Sequence, residues 1–240
     1  MAFVSAQKSR AAVGLLNLSG YATGYSVPWT TEMLPTTTIL DSAKAFIVGQ
    51  TSSTATVNMI LDTSSVANAQ FDAIHDLKAA APSPFALAPQ GFATGEQVVM
   101  LNAIHTQITT ESQVADVAKM DVAIIGDGAL DVGVSVEDFT AITATGNGTA
   151  RDLTAGTTNG GVAHLHVTAF SGLTNNAVTI EHSVNGSTGW TTLVTFTTYT
   201  AVTSQRVEVA AGTTVNRYLR VVDTVSGTGS TTRAVTFSRR

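Results

Sequence analysis

His164 and His166 stand two residues apart in "VAHLHVTA", residues 162–169. On a β-strand that spacing puts both imidazoles on one face, and such a pair can grip a metal ion if a neighbouring strand supplies a third ligand. His182, in "AVTIEHSV" (177–184), is the tempting third ligand. The competing reading is structural. Ala163, Leu165 and Val167 take the core side of an alternating strand, and the two histidines take the opposite side, facing solvent or another subunit. "GDGALDVG" (126–133) offers Asp127 and Asp131. It lacks the G-x-G-x-x-G spacing of a dinucleotide loop and the alternating Asp/Asn positions of a calcium loop, so it reads as a turn. Acid pairs such as Glu137–Asp138 carry no flanking feature that marks a glycosidase.

Other chemistries are missing from the text of the chain. It has no cysteine, no G-x-S-x-G, no Gly-Lys dipeptide and no H-E-x-x-H. No catalytic, cofactor-binding or metal-binding residue is therefore assigned, and the chain is read as a non-enzyme without a cofactor. Trp29, Trp190 and Tyr218 could stack on sugars, or anchor cores. Seven arginines lie in the second half. Arg206, Arg217, Arg220 and Arg233 fall on strand patterns and are expected to decorate an exposed face. The net charge of −5 argues against a surface that tracks nucleic-acid phosphates.

The elements that would position these residues are mostly strands. Only 12% of the 240 residues are charged, about half the usual share, and Thr, Ala, Val, Gly and Ser fill the difference. Composition shifts at the Thr- and Gly-rich "TAITATGNGTARD" (140–152), which reads as a linker between domains 1–141 and 142–240. Five basic residues face thirteen acids in the first domain; seven arginines face four acids in the second. The chain is expected to start with an arm over 1–25. "AAVGLLNL" (11–18) is too short and too interrupted, by Gly14 and Asn17, for a secretion signal. No apolar run approaches a membrane span.

In the first domain "AKAFIVG", "STATVNMILD", "EQVVMLNAIHTQITTES" and "AKMDVAIIGDG" read as strands. One helix is expected at about 68–80, with Phe71, Ile74, Leu77 and Lys78 marking a stripe. The expectation is a mainly β fold: an N-terminal β-sandwich or barrel with one flanking helix, then a C-terminal antiparallel β-sandwich of immunoglobulin-like character. In the latter, Asn185-Gly186 should join 177–184 to 190–196 as a hairpin.

The stretch "TTTILDSAKAFIVGQTSSTATVNMILD" (36–62) resembles the opening hairpin of major tail proteins, the tail-tube subunits of long-tailed, non-contractile bacteriophages. The resemblance continues through "NAQFDAIHDLKAA", "PFALAPQGFATGEQVVMLNAIHTQITTES" and "VADVAKMDVAIIGDGALDVGV". The second half looks like the C-terminal sandwich of such subunits in siphophages of actinobacteria. No single motif carries the likeness; the order and spacing of segments over nearly the whole chain do.

The resemblance implies a structural virion protein whose hexameric rings stack into a tail tube, the conduit for genome delivery. Its implied partners are other copies of itself, a tape measure protein and the tail terminator and tip proteins. DNA would pass through the lumen without specific binding, and no membrane is involved. The implied location is the phage tail, after synthesis in the host bacterial cytoplasm. An acidic inner wall suits such passage, because it repels duplex DNA rather than holding it. The N-terminal arm and the stretch "QTSSTAT" (50–56) are the candidates for ring stacking. The alternative is a two-domain, β-rich carbohydrate-binding surface protein; a hydrolase with dispersed acids is a third class.

Overall fold

A computed structural model describes residues 8–38, 42–61, 82–114 and 116–240. The helix expected at about 68–80 lies outside the described residues. Within them the chain is mainly β and antiparallel. In chain order the strands are β1 (Arg10–Val13), β2 (Leu16–Asn17), β3 (Ala22–Ser26), β4 (Trp29–Pro35), β5 (Phe46–Ile60), β6 (Ser83–Ala88), β7 (Gln97–Glu111) and β8 (Lys119–Gly126). There follow β9 (Asp131–Ile142), β10 (Gly146–Asn147), β11 (Arg151–Asp152), β12 (Gly161–Ser183), β13 (Thr191–Thr195), β14 (Thr203–Val209) and β15 (Tyr218–Arg239). Among the described residues no helix is long and apolar enough to cross a membrane.

Two compact units share these strands. Unit 1 takes residues up to Tyr21, Ser83–Met100 and Asp131–Arg240; unit 2 takes Ala22–Pro82 and Leu101–Leu130. The composition break near residue 141 falls inside unit 1, at the end of β9. The stretch 140–152 is not a free linker. Its backbone is satisfied by β15: β10 pairs Gly146 with Asp223, β11 pairs Arg151 with Leu219, and Gly148 N–H donates to Val221 O at 2.7 Å. Charge follows the units. Unit 2 holds nine acids against three lysines, whereas unit 1 holds eight acids against nine basic residues.

Unit 1 is organised by one long ladder, β12 against β15, running from Gly161↔Arg239 to Ser183↔Tyr218. The sequence pattern separates each of these strands into two short ones; the structure joins them. A flat strand of 23 residues would extend roughly 75 Å. Instead, Leu165 and Val235 from one end share a core with Ile180 and Val221 from the other, so the ladder folds back at its centre. Register shifts at 167–175 mark the fold. Gly172 (φ 75°) and Gly227 (φ 92°) sit there in backbone conformations that side chains disfavour. β13 extends one arm and β14 the other. The Asn185-Gly186 turn does join β12 to β13, pairing Ile180 with Val194.

Of the described residues expected to form an N-terminal arm, Ala11–Gly14 and Leu18 are buried, and the rest are half-buried or exposed. β1 pairs with β6 (Arg10↔Ala88 to Val13↔Phe85), and Ala11, Ala12 and Val13 are buried. Ala12, Ala86 and Ala88 pack with Phe92, Val98, Met100 and Val162 in a second core. The small alanine side chains allow this layer to lie close on β12.

Among the described residues, unit 2 contains five strands: β3, β4, β5, β8 and the second part of β7. β3 and β4 lie in succession along one edge of β5; β8 pairs with the other edge from Thr54 to Ile60, and β7 pairs with β8. Ala55, Val57, Met59, Met120, Val122 and Ile124 form its buried face. Asn58 and Asp121 alternate onto the opposite face and hydrogen-bond at 2.7 Å. The stretch 50–56, a candidate for ring stacking, is the middle of β5: its Thr and Ser residues are compatible with extended backbone, and both neighbouring strands hold it in register.

Candidate assembly surface

The histidine pair has a structural place. His164 and His166 are buried, at 1% and 0% exposure, so the expectation of a wet or subunit-facing surface is corrected. The cause is a further layer. The odd residues Ala163, Leu165 and Val167 face the ladder core, and Val162, on the same side as the histidines, joins the alanine-rich core. Strand periodicity shows that two faces differ, and here both are covered.

His166 Nδ1–H donates to Gly14 O at 2.9 Å, while its Nε2 is buried without a partner. Burial lowers the His166 pKa to about 4, against the opposing effect of the Gly14 bond. His164 is also held well below the usual histidine value, by burial first, then by His166 and Arg206. Both rings are therefore neutral at pH 7. His182 is not brought to them; its Nδ1 accepts Asn216 N–H at 3.1 Å, on the other arm of the ladder. Among the described residues no group of three or more His, Asp or Glu is arranged to hold a metal.

The carboxylates are occupied as well. Asp131 bonds Arg240 at 3.0 and 3.1 Å and lies 3.8 Å from Arg206, which leaves it poorly placed as a calcium ligand. Glu137 pairs with Arg233 at 2.9 Å, while Asp138 caps its neighbour Phe139 N–H at 2.7 Å. Arg233, expected on an exposed face, is fully buried. It also bonds both oxygens of Asp223, which in turn accepts from Asn176 Nδ2 at 2.9 Å. The ladder's fold thus encloses a polar cluster, which Tyr199 and Thr231 extend. Arg217 pairs with Asp152 and Arg220 with Glu181. Arg220 lies 4.3 Å from the Trp190 ring centre and Arg217 lies 5.1 Å from that of Tyr218. One face of each ring is therefore covered by a guanidinium.

The surface that remains unexplained by the monomer is in unit 2. β4 pairs with the first half of β5, from Trp29↔Ser53 to Pro35↔Phe46. β8 stops pairing at Thr54, so among the described residues this ribbon has no further strand on either side. Every residue of β4 is exposed. Trp29, Met33, Leu34, Phe46, Ile47 and Val48 are exposed apolar side chains on it, with Val48 at 71%. A lone two-stranded ribbon is marginal in water, and free edges invite another strand. Six large apolar residues within one such ribbon form an interaction surface by ordinary criteria. One sequence signal pointed here. Phe46, Ile47 and Val48 are consecutive, so a strand containing them presents apolar groups on both faces, and only a covered ribbon is comfortable with that.

No protein-family model matches the chain, and no curated protein matches it by sequence. Solved structures with a similar fold include a chain in the virion of a native gene transfer agent particle, at 13% identity and TM-score 0.42, covering 54% of this chain and 98% of that one. A chain from the tail of an empty gene transfer agent particle with C6 symmetry has 14% identity and TM-score 0.40, with 54% and 97% covered. The Dit protein (gp 19.1) of SPP1, described as a hub of the adsorption apparatus in phages infecting Gram-positive hosts, has 10% identity and TM-score 0.40, with 96% and 98% covered. Likenesses at this level fix neither an assembly nor a role.

Proposed function

We propose that this chain is a structural subunit of a bacteriophage tail, a major tail protein whose hexameric rings stack into the tube through which the genome passes. The observation that carries the reading is the β4–β5 ribbon, with edges unpaired among the described residues and six exposed apolar side chains. Such a ribbon is poorly satisfied in a monomer and well suited to strand addition or apolar docking on another copy. The order of sequence segments supports the specific family. The acidity of unit 2, nine acids against three lysines, supports a wall that lets DNA slide. In this reading the Asn58–Asp121 face of unit 2 lines the lumen, and the ribbon, which includes residues 51–53 of the stretch 50–56, mediates ring stacking.

The role is non-enzymatic. The carboxylates, arginines and histidines considered above are occupied by structural contacts, which suits a building element. The strands of 142–240 are assigned to the outside of the tube as decoration, although they share their cores with residues 10–13 and 83–100. The tape measure, terminator and tip proteins are the remaining partners of such a subunit, and its place is the virion.

Negative-stain microscopy of the purified full chain tests this. Six-fold rings or tubes are the expected result. A protein that stays monomeric across the accessible concentration range overturns the assembly reading.

A further inference from the structure

Five arginines of unit 1 are paired with carboxylates. Arg206 pairs with Glu208, Arg217 with Asp152, Arg220 with Glu181, Arg233 with Asp223 and Glu137, and Arg240 with Asp131 and Glu208. Two of the arginines following residue 141 have no carboxylate: Arg151 and Arg239. Both line one cleft of about 540 Å³, with Arg240, Gly95 and Thr154. Arg239 donates to the carbonyls of Ala155 and Leu153, which leaves its positive charge uncompensated. The only acid on the cleft wall, Asp152, is held by Arg217 at 2.6 and 2.7 Å.

The cleft is built to present that charge. Gly95 has φ 94°, and a Cβ there would lie 0.9 Å from an Arg151 guanidinium nitrogen. Only glycine at 95 lets this guanidinium lie flat against the backbone. Thr154 is the only non-glycine residue among those described with a positive φ, at 67°. Such strain persists where surrounding structure enforces it, and it clusters at binding sites.

We infer that the Arg151–Arg239 cleft receives the carboxylate of Glu32 from a second copy of the chain, docking that copy's β4–β5 ribbon. The inference rests on the assembly reading above and adds its ionic contact. Two observations choose this occupant. Charge is divided between the units: unit 2 is strongly acidic, and the two uncompensated arginines are in unit 1. Glu32 stands within the apolar ribbon, at a register shift between Thr31 and Met33, and has no cationic partner among the described residues. Gly49 lies across from it, where a Cβ would come within 3.2 Å of the Glu32 carboxylate, so the acid is left uncrowded. A guanidinium fork donates two parallel hydrogen bonds to a carboxylate, which fixes orientation as well as contact. The apolar neighbours of Glu32 would exclude water around that pair and strengthen it.

Charge reversal tests the pairing. Full-length wild type, Arg151→Glu, Glu32→Arg and the double variant are compared by sedimentation and negative-stain microscopy, with thermal melts verifying that each is folded. Each single reversal should raise the concentration needed for assembly by about tenfold or more, and the double variant should recover most of that loss. Unchanged assembly of Arg151→Glu, or loss in both single variants without recovery in the double, overturns the pairing while the assembly reading stands. A wild type that never assembles overturns both.

Discussion

Acidification from pH 7 to pH 5 should weaken unit 1. His166 has a pKa of about 4 in the fold, against 6.5 for an unperturbed imidazole, and its ring is sealed between β12 and the turn at Gly14. The fold holds the ring neutral, so the unfolded chain binds the extra proton. The contribution is fully favourable above about pH 6.5 and declines as pH falls towards 4. Integrating the two titrations gives a loss of about 2 kcal/mol between pH 7 and pH 5, and about 3 kcal/mol once pH is below 4. His164 shifts in the same direction and adds to it. Arg206, paired across from His164 on β14, makes a second positive charge there less welcome still. Urea unfolding followed by circular dichroism at pH 7.5, 6 and 5 measures the slope. His166→Asn retains a donor for Gly14 O but does not titrate, so its stability should fall by about 2 kcal/mol less over that range. Equal pH slopes for the variant and the wild type would refute the reasoning.

Other consequences are as direct. Arg233→Ala strands Asp223 and Glu137 inside unit 1 and should cost about 3–5 kcal/mol, read from the denaturant midpoint. Ile47→Asp lies on the exposed ribbon, so it should abolish assembly under the microscope while shifting the unfolding free energy by no more than about 0.5 kcal/mol. Gly95→Ala meets both an unfavourable φ and the Arg151 guanidinium; a stability loss of at least about 1 kcal/mol is expected, together with weaker assembly.

Much of the architecture was legible because strands announce themselves by alternation. "VAHLHVTA", "AVTIEHSV" and "AVTFSR" were identifiable as strands, and Asn185-Gly186 as the turn between β12 and β13. Alternation does not reveal where a strand continues through an irregular stretch. "FSGLTNN" reads as a break, yet its glycine and bulges bend one continuous strand. Nor does it say how many layers will cover a strand. The turn at Gly14 and strand β6, which no periodicity connects to β12, make the histidine face an interior one. Arg233 misled for a related reason: its partners Glu137 and Asp223 are distant in sequence, and only the folded ladder unites them. The ribbon surface was half visible in "FIV", while the Arg151 cleft depends on Gly95, which nothing local connects to it.

The division of unit 1 into separate stretches has a consequence for synthesis. Gly161 and Val162 find their partners in Arg239 and Ser238, so the first unit closes only after the last strand has been made. All described strands of unit 2 are complete by Gly126. On a polysome, therefore, the exposed apolar ribbon emerges more than a hundred residues before Arg239 of β15, and nascent neighbours are the first copies it can meet. Slow translation of the final third should favour premature clumping, and brisk translation should favour soluble subunits.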